Sequence, residues 1–327
     1  MVVFAPRGLR SRGLSLVELM VASALGLMLI TLMMQVLLSA KQSLGRSETI
    51  TRLSASGLFG LELLSDDVQR SGYLSIYGPL RKNHLGKLTV SGSLGPAENT
   101  PLCVSSDTTW GRMVDQPLFG LNDTRAGYDC IPKRDYLRGD ILLTRYLSSQ
   151  SVGRNGLVNP GQRYDNARIY FRAGISESKI FSGRDRGDIK NQILSSLSSD
   201  HALRSHAYYV SNSGRECQGL AIPGLFRETL SSSGRPRREE LVSGVENIQF
   251  QYQVAGQYFN ADDVSVWRDV KAVKVWLLVR AECPEPAFID RQTYILGDLS
   301  YTPNITLKES HYRRRLYQGV VPIRNAR

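Results

Sequence analysis

The sequence of 327 residues carries a formal net charge of +11, from 41 lysines and arginines against 30 acidic residues. A basic balance can indicate binding to nucleic acid or to anionic lipid, but the positive charges here are scattered along the chain. The densest clusters, Arg235–Arg238 and Arg313–Arg315, lack the interleaved aromatic residues that stack on bases. We therefore expect both clusters to lie on a solvated basic surface, and the composition disfavours a nucleic-acid partner.

The N-terminus combines a basic leader with a long apolar run. Arg7, Arg10 and Arg12 are the charged residues of the first thirteen, and Glu18 is the one charge between Gly13 and Ala40. An apolar run of this length is sufficient to span a bilayer, which takes about 20 helical residues. The arginines predict a cytoplasmic N-terminus. A secretory signal peptide fits poorly, because no small-residue cleavage site follows the run, and an uncleaved signal anchor is the plainer alternative.

The segment Gly13-Leu-Ser-Leu-Val-Glu-Leu19 resembles the signal of type IV pilins. The resemblance implies that a prepilin peptidase cuts after Gly13 and methylates the new N-terminus at Leu14, a position where most members have phenylalanine. Glu18 then becomes the fifth residue of the mature chain. In this family that glutamate is thought to pair with the N-terminal amine of a neighbouring subunit and so to set register. The alternative is that Glu18 only reaches towards the cytoplasmic interface.

One helix of about fifty residues, from 15 to ~70, is predicted next. Residues 1–13 form the leader, residues 14–40 the transmembrane half of the helix, and residues 41–72 an amphipathic half that ends at Ser71-Gly72. The amphipathic half has no proline before Arg70. Its apolar stripe is expected to comprise Leu44, Leu53, Gly57, Leu61, Leu64 and Val68.

Short β-like runs dominate residues 73–327, which predicts one β-rich globular domain. The order of elements favours an α+β fold, with the long helix packed on an antiparallel sheet. Residues 78–136 and 148–205 are expected to be loop-like insertions, and Trp267 and Trp276 to lie in the core. The candidate strands are Asp140–Tyr146, Arg168–Phe171, Ala207–Val210, Gly219–Phe226, Val245–Val254, Val270–Arg280 and Val320–Arg324.

Four cysteines are present, namely Cys103, Cys130, Cys217 and Cys283. Their spacing matches no zinc motif, and disulfides persist in the periplasm, where the predicted topology places them. An even count permits two bridges with three connectivities. Pairing the local cysteines, Cys103 with Cys130, would leave Cys217 with Cys283, but sequence alone does not fix the connectivity.

Several distal segments resemble the PilW family of type IV pilus-assembly proteins. They are Asp67–Tyr73, Arg138–Tyr146, Tyr208–Val210, Leu241–Phe250, Val270–Arg280, Arg313–Arg315 and Val321–Asn325. The resemblance implies a minor pilin, anchored by one span in the bacterial inner membrane with a periplasmic domain, and later placed at the pilus tip on the cell surface. Its implied partners are other minor pilins, the major pilin, a tip adhesin, the prepilin peptidase and the inner-membrane assembly platform, with roles in twitching motility and cell adhesion.

Two other functions share these features. A larger, J-like pseudopilin of type II secretion has the same leader and long helix, and a minor pilin could bind DNA during uptake. An enzyme is not expected, because no catalytic motif, phosphate-binding loop, metal site or cofactor site is recognisable. We expect surface positions for the scattered histidines and for two carboxylate pairs: His84, His201, His206, His311, Asp185 with Asp188, and Asp262 with Asp263.

Overall fold

The computed structural model describes residues 15–73, 88–90, 94, 116–126, 128, 130–155, 157–174, 178–185, 198–230 and 236–325. The chain divides into two compact units, Met1–Thr51 and Arg52–Arg327. Helix α1 runs from Leu16 to Arg70, and fifteen strands follow it within the described ranges. The predicted α+β class is therefore confirmed, with one long N-terminal helix and a β-rich remainder.

In the first unit, α1 exposes its apolar side chains on every face. Leucine, methionine, valine and isoleucine side chains between Leu16 and Leu38 are mostly about half exposed or more. This helix is long and apolar enough to cross a membrane, by its length and composition. Such a surface is unfavourable in water, because each large apolar side chain gains about 1.5–3 kcal/mol when it is fully buried.

In the second unit, the rest of α1 buries one narrow face. Leu53, Gly57, Leu64 and Val68 are buried at the predicted helical spacing, whereas Leu44 is 72% exposed. Leu44 was expected on the same stripe, but the globular unit begins only at Arg52. The helix ends as predicted at Ser71-Gly72, where Gly72 has a φ of +77°. Glycine takes this left-handed conformation without the steric penalty that a Cβ brings.

The larger sheet has nine strands in the described part of the chain. Two long central strands, β3 and β7, pair with each other, and the pairing is antiparallel throughout except for the parallel pair β1–β6. Its strands are β1 Leu88–Val90, β2 Leu118–Leu121, β3 Arg138–Arg154, β4 Leu157–Val158, β5 Ile169–Gly174, β6 Ser178–Ser182, β7 Ser198–Cys217, β8 Leu220–Leu230 and β9 Pro236–Ser243.

The smaller sheet is antiparallel, with the order β11-β10-β12-β15, and a separate hairpin joins β13 to β14. Short 3₁₀ turns lie at Gly183–Asp185, Ala261–Asp263, Trp267–Asp269 and Lys308–His311. The strands of these two sheets are β10 Val245–Val254, β11 Gln257–Phe259, β12 Ala272–Arg280, β13 Tyr294–Leu296, β14 Leu299–Tyr301 and β15 Arg314–Pro322.

Most predicted strands are confirmed, and β10 has the predicted bounds. Strands β3 and β7 are longer than predicted, so that residues 148–205 contain the end of β3, strands β4–β6 and the start of β7. This stretch was expected to be loop-like. Its polar residues do not alternate regularly with apolar ones, and the pairing of β3 with β7 there is interrupted by register shifts. Most of the other expected insertion, residues 78–136, lies outside the described residues.

The core of the second unit lies between α1 and the sheets. It includes Leu64 and Val68 from the helix, Ile248 and Phe250 from β10, and Leu277 from β12. Trp267 and Trp276 are buried, as predicted. At Gly57 the helix backbone approaches β15 so closely that a methyl group would overlap the ring of Tyr317. The Tyr317 hydroxyl donates a hydrogen bond of 3.1 Å to the carbonyl of Leu53, which holds the ring against the helix.

We expect Gly57→Ala to lower the free energy of unfolding of the β-rich unit by about 1–3 kcal/mol, because the methyl group must displace the held ring of Tyr317. Urea unfolding of the full-length protein in nonionic detergent measures the change. Gly45→Ala is the matched control, since no atom lies within 4 Å of a Cβ there and alanine favours helix by about 1 kcal/mol. Equal effects of the two changes would contradict the close approach at Gly57.

Candidate functional site

Glu18 lies in the first turn of α1 and is exposed. Ser15 precedes the helix, and its hydroxyl accepts a hydrogen bond of 3.3 Å from the backbone N–H of Val17. Ser15 therefore acts as an N-cap, and Glu18 is the third residue of the helix proper. A carboxylate at this position is favoured by the positive end of the helix dipole. Gly13 and Leu14, the predicted cleavage and methylation residues, lie outside the described residues.

A second carboxylate, Asp67, lies in the last turns of the same helix and is 5% exposed. It interrupts the apolar stripe between Leu64 and Val68. Its oxygens accept hydrogen bonds from Tyr146 Oη at 2.7 Å and Tyr208 Oη at 2.5 Å, and Oδ2 also contacts His206 Nδ1. Thr144 Oγ1 is 3.5 Å from Oδ2. These four groups form the Asp67 network.

The pairing of β3 with β7 explains how the network is assembled. Thr144 lies opposite His206, and Leu142 lies opposite Tyr208. Because side chains two residues apart on a strand share a face, Thr144 and Tyr146 of β3 lie on the same side as His206 and Tyr208 of β7. All four therefore face the helix at the level of Asp67. The helix end is thus bound to the two longest strands of the large sheet by hydrogen bonds as well as by apolar packing.

Opposing effects determine the pKa of Asp67. Burial by itself raises the pKa, because the charged carboxylate loses water. The hydrogen bond and charge of His206, with hydrogen bonds from Tyr208 and Tyr146, outweigh burial and lower the pKa to about 2. Burial and the Asp67 charge also raise the pKa of Tyr146 and Tyr208. Asp67 therefore stays ionised and both phenols stay protonated as donors at neutral pH.

The expectation that the histidines lie on the surface was wrong for two of the four. His206 is buried against Asp67, and His201 is buried with Nδ1 2.7 Å from the carbonyl oxygen of Ser148. Burial lowers the pKa of His201. The error arose because the polar residues around both histidines were interpreted as loop, whereas they lie on β7. His311 is partly buried, with Nδ1 2.8 Å from the carbonyl oxygen of Phe288, and His84 lies outside the described residues.

The expected solvated basic clusters were also partly wrong. Arg314 is buried, with its guanidinium 2.6 Å from Glu246 and 3.3 Å from Asp290. The two-residue period of a strand turns Arg314 to the side opposite Arg313 and Arg315. In the other cluster, Arg238 pairs with Asp135 at 2.7 Å and covers the ring of Phe226. Arg235 lies outside the described residues.

The remaining predicted site residues are the cysteines and the carboxylate pairs. Cys217 and Cys283 form a disulfide that links β7 to the segment after β12. Cys130 is disulfide-bonded, and Cys103 lies outside the described residues. Asp262 and Asp263 are exposed, as expected, and Asp188 lies outside the described residues. Across the described ranges, no group of three or more histidine, cysteine, aspartate or glutamate side chains could hold a metal ion.

Comparison with known proteins gives one family. Residues 207–325 match the family model of PilW, the type IV pilus-assembly protein W. The matched range begins on β7 beside His206 and contains β8 to β15, so the C-terminal part of this chain has the sequence pattern of a type IV pilus-assembly protein. A type IV-like pilin from Thermus thermophilus is similar in structure, with 15% identity and a TM-score of 0.32, over 65% of this chain and 86% of that chain. No curated protein sequence matches the chain.

We expect Asp67→Asn to remove the part of the unfolding free energy that wild-type protein loses in acid. A lowered pKa means that the Asp67 carboxylate stabilises the fold above its unfolded pKa of about 3.9, and this contribution is lost as pH falls towards 2. Between pH 5 and pH 2, wild-type protein should lose roughly 2 kcal/mol more unfolding free energy than the variant. Urea unfolding at a series of pH values measures the difference.

Asp66→Asn is the matched control, because Asp66 is exposed and makes an ion pair of 2.7 Å with Arg70. Exposed pairs of this kind contribute at most about 1 kcal/mol. The Asp66→Asn profile should therefore follow that of wild type at every pH. Acid profiles of equal slope for wild type and Asp67→Asn would show that the Asp67 network does not stabilise the fold through its charge.

Proposed function

We propose that this chain is a minor pilin that takes part in assembly of type IV pili. The observation that carries the proposal is the match of residues 207–325 to the pilus-assembly protein PilW. The same chain begins with a helix whose apolar residues are exposed from Leu16 onward. A pilus-assembly pattern behind a membrane-length helix is what a pilin needs, and neither feature calls for an enzyme active site.

The exposed helix supports a cycle between bilayer and filament. Its apolar side chains require either lipid or the helices of other subunits around them. A charged residue at the centre of a bilayer costs about 2.5–3.5 kcal/mol, but Glu18 is in the first turn of the helix, close to its end. In the proposed filament its carboxylate meets a positive group on a neighbour, namely the cleaved N-terminus of another subunit.

The partners and location follow from this role. Prepilin peptidase would cut after Gly13 and methylate Leu14, and the chain would reside in the inner membrane with residues 73–327 in the periplasm. It would then join other minor pilins in a complex that primes assembly and becomes the pilus tip, in contact with the major pilin and a tip adhesin. The Cys217–Cys283 disulfide suits an oxidising compartment such as the periplasm.

Gly13→Ala should block processing, because the proposed peptidase cuts after that glycine. Immunoblots of membrane fractions should then show only the precursor, larger than the mature protein by the thirteen-residue leader. Gly26→Ala is the control, since this helical glycine has no atom within 4 Å of a Cβ, and it should be processed as in wild type. Mature-sized protein in the Gly13→Ala strain would place the cut elsewhere.

Deletion of the gene should reduce surface pili, and complementation separates the role of Glu18. Wild type and Glu48→Ala should restore pili, because Glu48 is an exposed glutamate further along the same helix. Glu18→Ala should insert in the membrane yet restore few pili, since the subunit has lost its proposed register contact. Shear preparations of pili and electron microscopy give the measurement.

Normal piliation of the Glu18→Ala strain, with wild-type amounts of the variant in sheared pili, would show that Glu18 does not set the register between subunits. Normal piliation of the deletion strain with loss of a secreted protein would instead identify a type II secretion pseudopilin.

A further inference from the structure

A cleft of about 1260 Å³ lies beside the last turns of α1 and the Asp67 network. Strands β3, β7, β8 and β9 and the start of β5 form its walls. A second cavity of about 630 Å³ shares Ser148, Asp165, Asn166 and Arg168 with the first. The two cavities are therefore adjacent. The larger one, called the groove below, exceeds the 300–1,000 Å³ that is typical of small-molecule pockets.

Arginine dominates the charge of the larger cavity. Three of its arginines make ion pairs with lining carboxylates: Arg70 with Asp66 at 2.7 Å, Arg168 with Asp165 at 3.2 Å, and Arg227 with Glu239. Asp67, the remaining lining carboxylate, is held by His206. Within the described part of the chain, no carboxylate makes an ion pair with the other four arginines, which are Arg184, Arg204, Arg237 and Arg324.

Arg204 shows most clearly the effect of arginine charge that lining carboxylates do not neutralise. It is half-buried on β7, and its pKa is lowered by burial first and then by the like charge of Arg168, with a smaller lowering from Arg227; Tyr146 and Asp67 oppose this shift. A partly buried guanidinium among other guanidinium groups is unfavourable unless an anion approaches it. Arg184, Arg237 and Arg324 are exposed along the same cavity. The groove thus presents positive charge that its own carboxylates do not neutralise.

The lining distinguishes among anionic ligands. Single-stranded nucleic acid binds to grooves that offer exposed aromatic rings for base stacking, but Tyr146 is buried in the Asp67 network and Tyr73 is partly buried. Asp66, Asp165 and Glu239 along the walls would repel a continuous phosphate backbone. A peptide with spaced carboxylates avoids both problems, because arginine forks bind carboxylates in bidentate fashion. We propose that this groove binds an acidic peptide segment of a partner protein, with its carboxylates on Arg184, Arg204, Arg237 and Arg324.

The test uses full-length protein in nonionic detergent and a fluorescein-labelled oligo-glutamate peptide of about ten residues, long enough for an extended peptide to follow such a groove. Fluorescence anisotropy gives the Kd. We expect binding that weakens as salt increases. Arg204→Gln and Arg237→Gln should each weaken it about tenfold, since a charge-assisted hydrogen bond is lost. Arg237 is exposed, so its substitution leaves the fold intact, which circular dichroism checks.

Arg291→Gln is the matched control, because Arg291 is exposed and is not part of either cavity; its Kd should equal that of wild type. Competition with oligothymidylate of similar length and with free glutamate tests the ligand class. An oligothymidylate that binds as tightly, with the same dependence on Arg204, would overturn the acidic-peptide assignment. An Arg237→Gln variant that binds the peptide as wild type does, or absence of peptide binding at low salt, would overturn the site.

Discussion

The arrangement of the β-rich unit depends on the buried carboxylate of Asp67, which needs hydrogen-bond donors around it. A buried charge is tolerated only where donors surround it, and Asp67 finds them on two different strands, β3 and β7. Apolar side chains around Leu64 and Val68 would tolerate small rotations of the helix, whereas a carboxylate between Tyr146, Tyr208 and His206 would not. The Asp67 network thus fixes the rotation of the helix end on the sheet. Gly57, which precedes Asp67 on the same helix, fixes the distance between the helix and β15 through its contact with Tyr317.

Asp140 shows that burial alone does not create such an anchor. Its oxygens accept hydrogen bonds of 2.9 Å from the backbone N–H of Asp123 and 2.7 Å from that of Phe250. Burial nevertheless raises its pKa to about 8, because the loss of water outweighs both hydrogen bonds; the charges of Asp123 and Asp298 raise the pKa further. Asp67 and Asp140 are both almost fully buried. His206 and two tyrosine hydroxyls face Asp67, whereas the further carboxylates Asp123 and Asp298 act on Asp140. The histidine, more than the depth of burial, keeps Asp67 charged.

The sequence predicted what depends on local periodicity. The helix and its end at Gly72, the bounds of β10 and the burial of Trp276 follow from spacing and side-chain size. The sequence did not predict the partners of buried polar groups, since these come from distant parts of the chain. His206 and Asp67 are separated by 139 positions, and Arg314 and Glu246 by 68. A signal was present for the Asp67 network: an aspartate on the apolar stripe of a helix, and His206 and Tyr208 two residues apart.

The ion pairs within the fold also explain why the positive charge of this chain is not evenly distributed over the folded unit. Two arginines that enter the interior pair there with carboxylates, Arg314 with Glu246 and Asp290, and Arg172 with Asp200 at 2.6 Å. The acidic side chains near the helix end are likewise committed, Asp67 to His206 and Asp66 to Arg70. Positive charge without a local counterpart is therefore left at the groove, where Arg204 lies. If the helix carries the contacts of a pilin subunit with lipid and with other helices, this groove offers a separate surface of different chemistry. A subunit with both could join a filament through one and bind a specific neighbour through the other, because apolar helix packing discriminates poorly among similar helices and paired charges discriminate well.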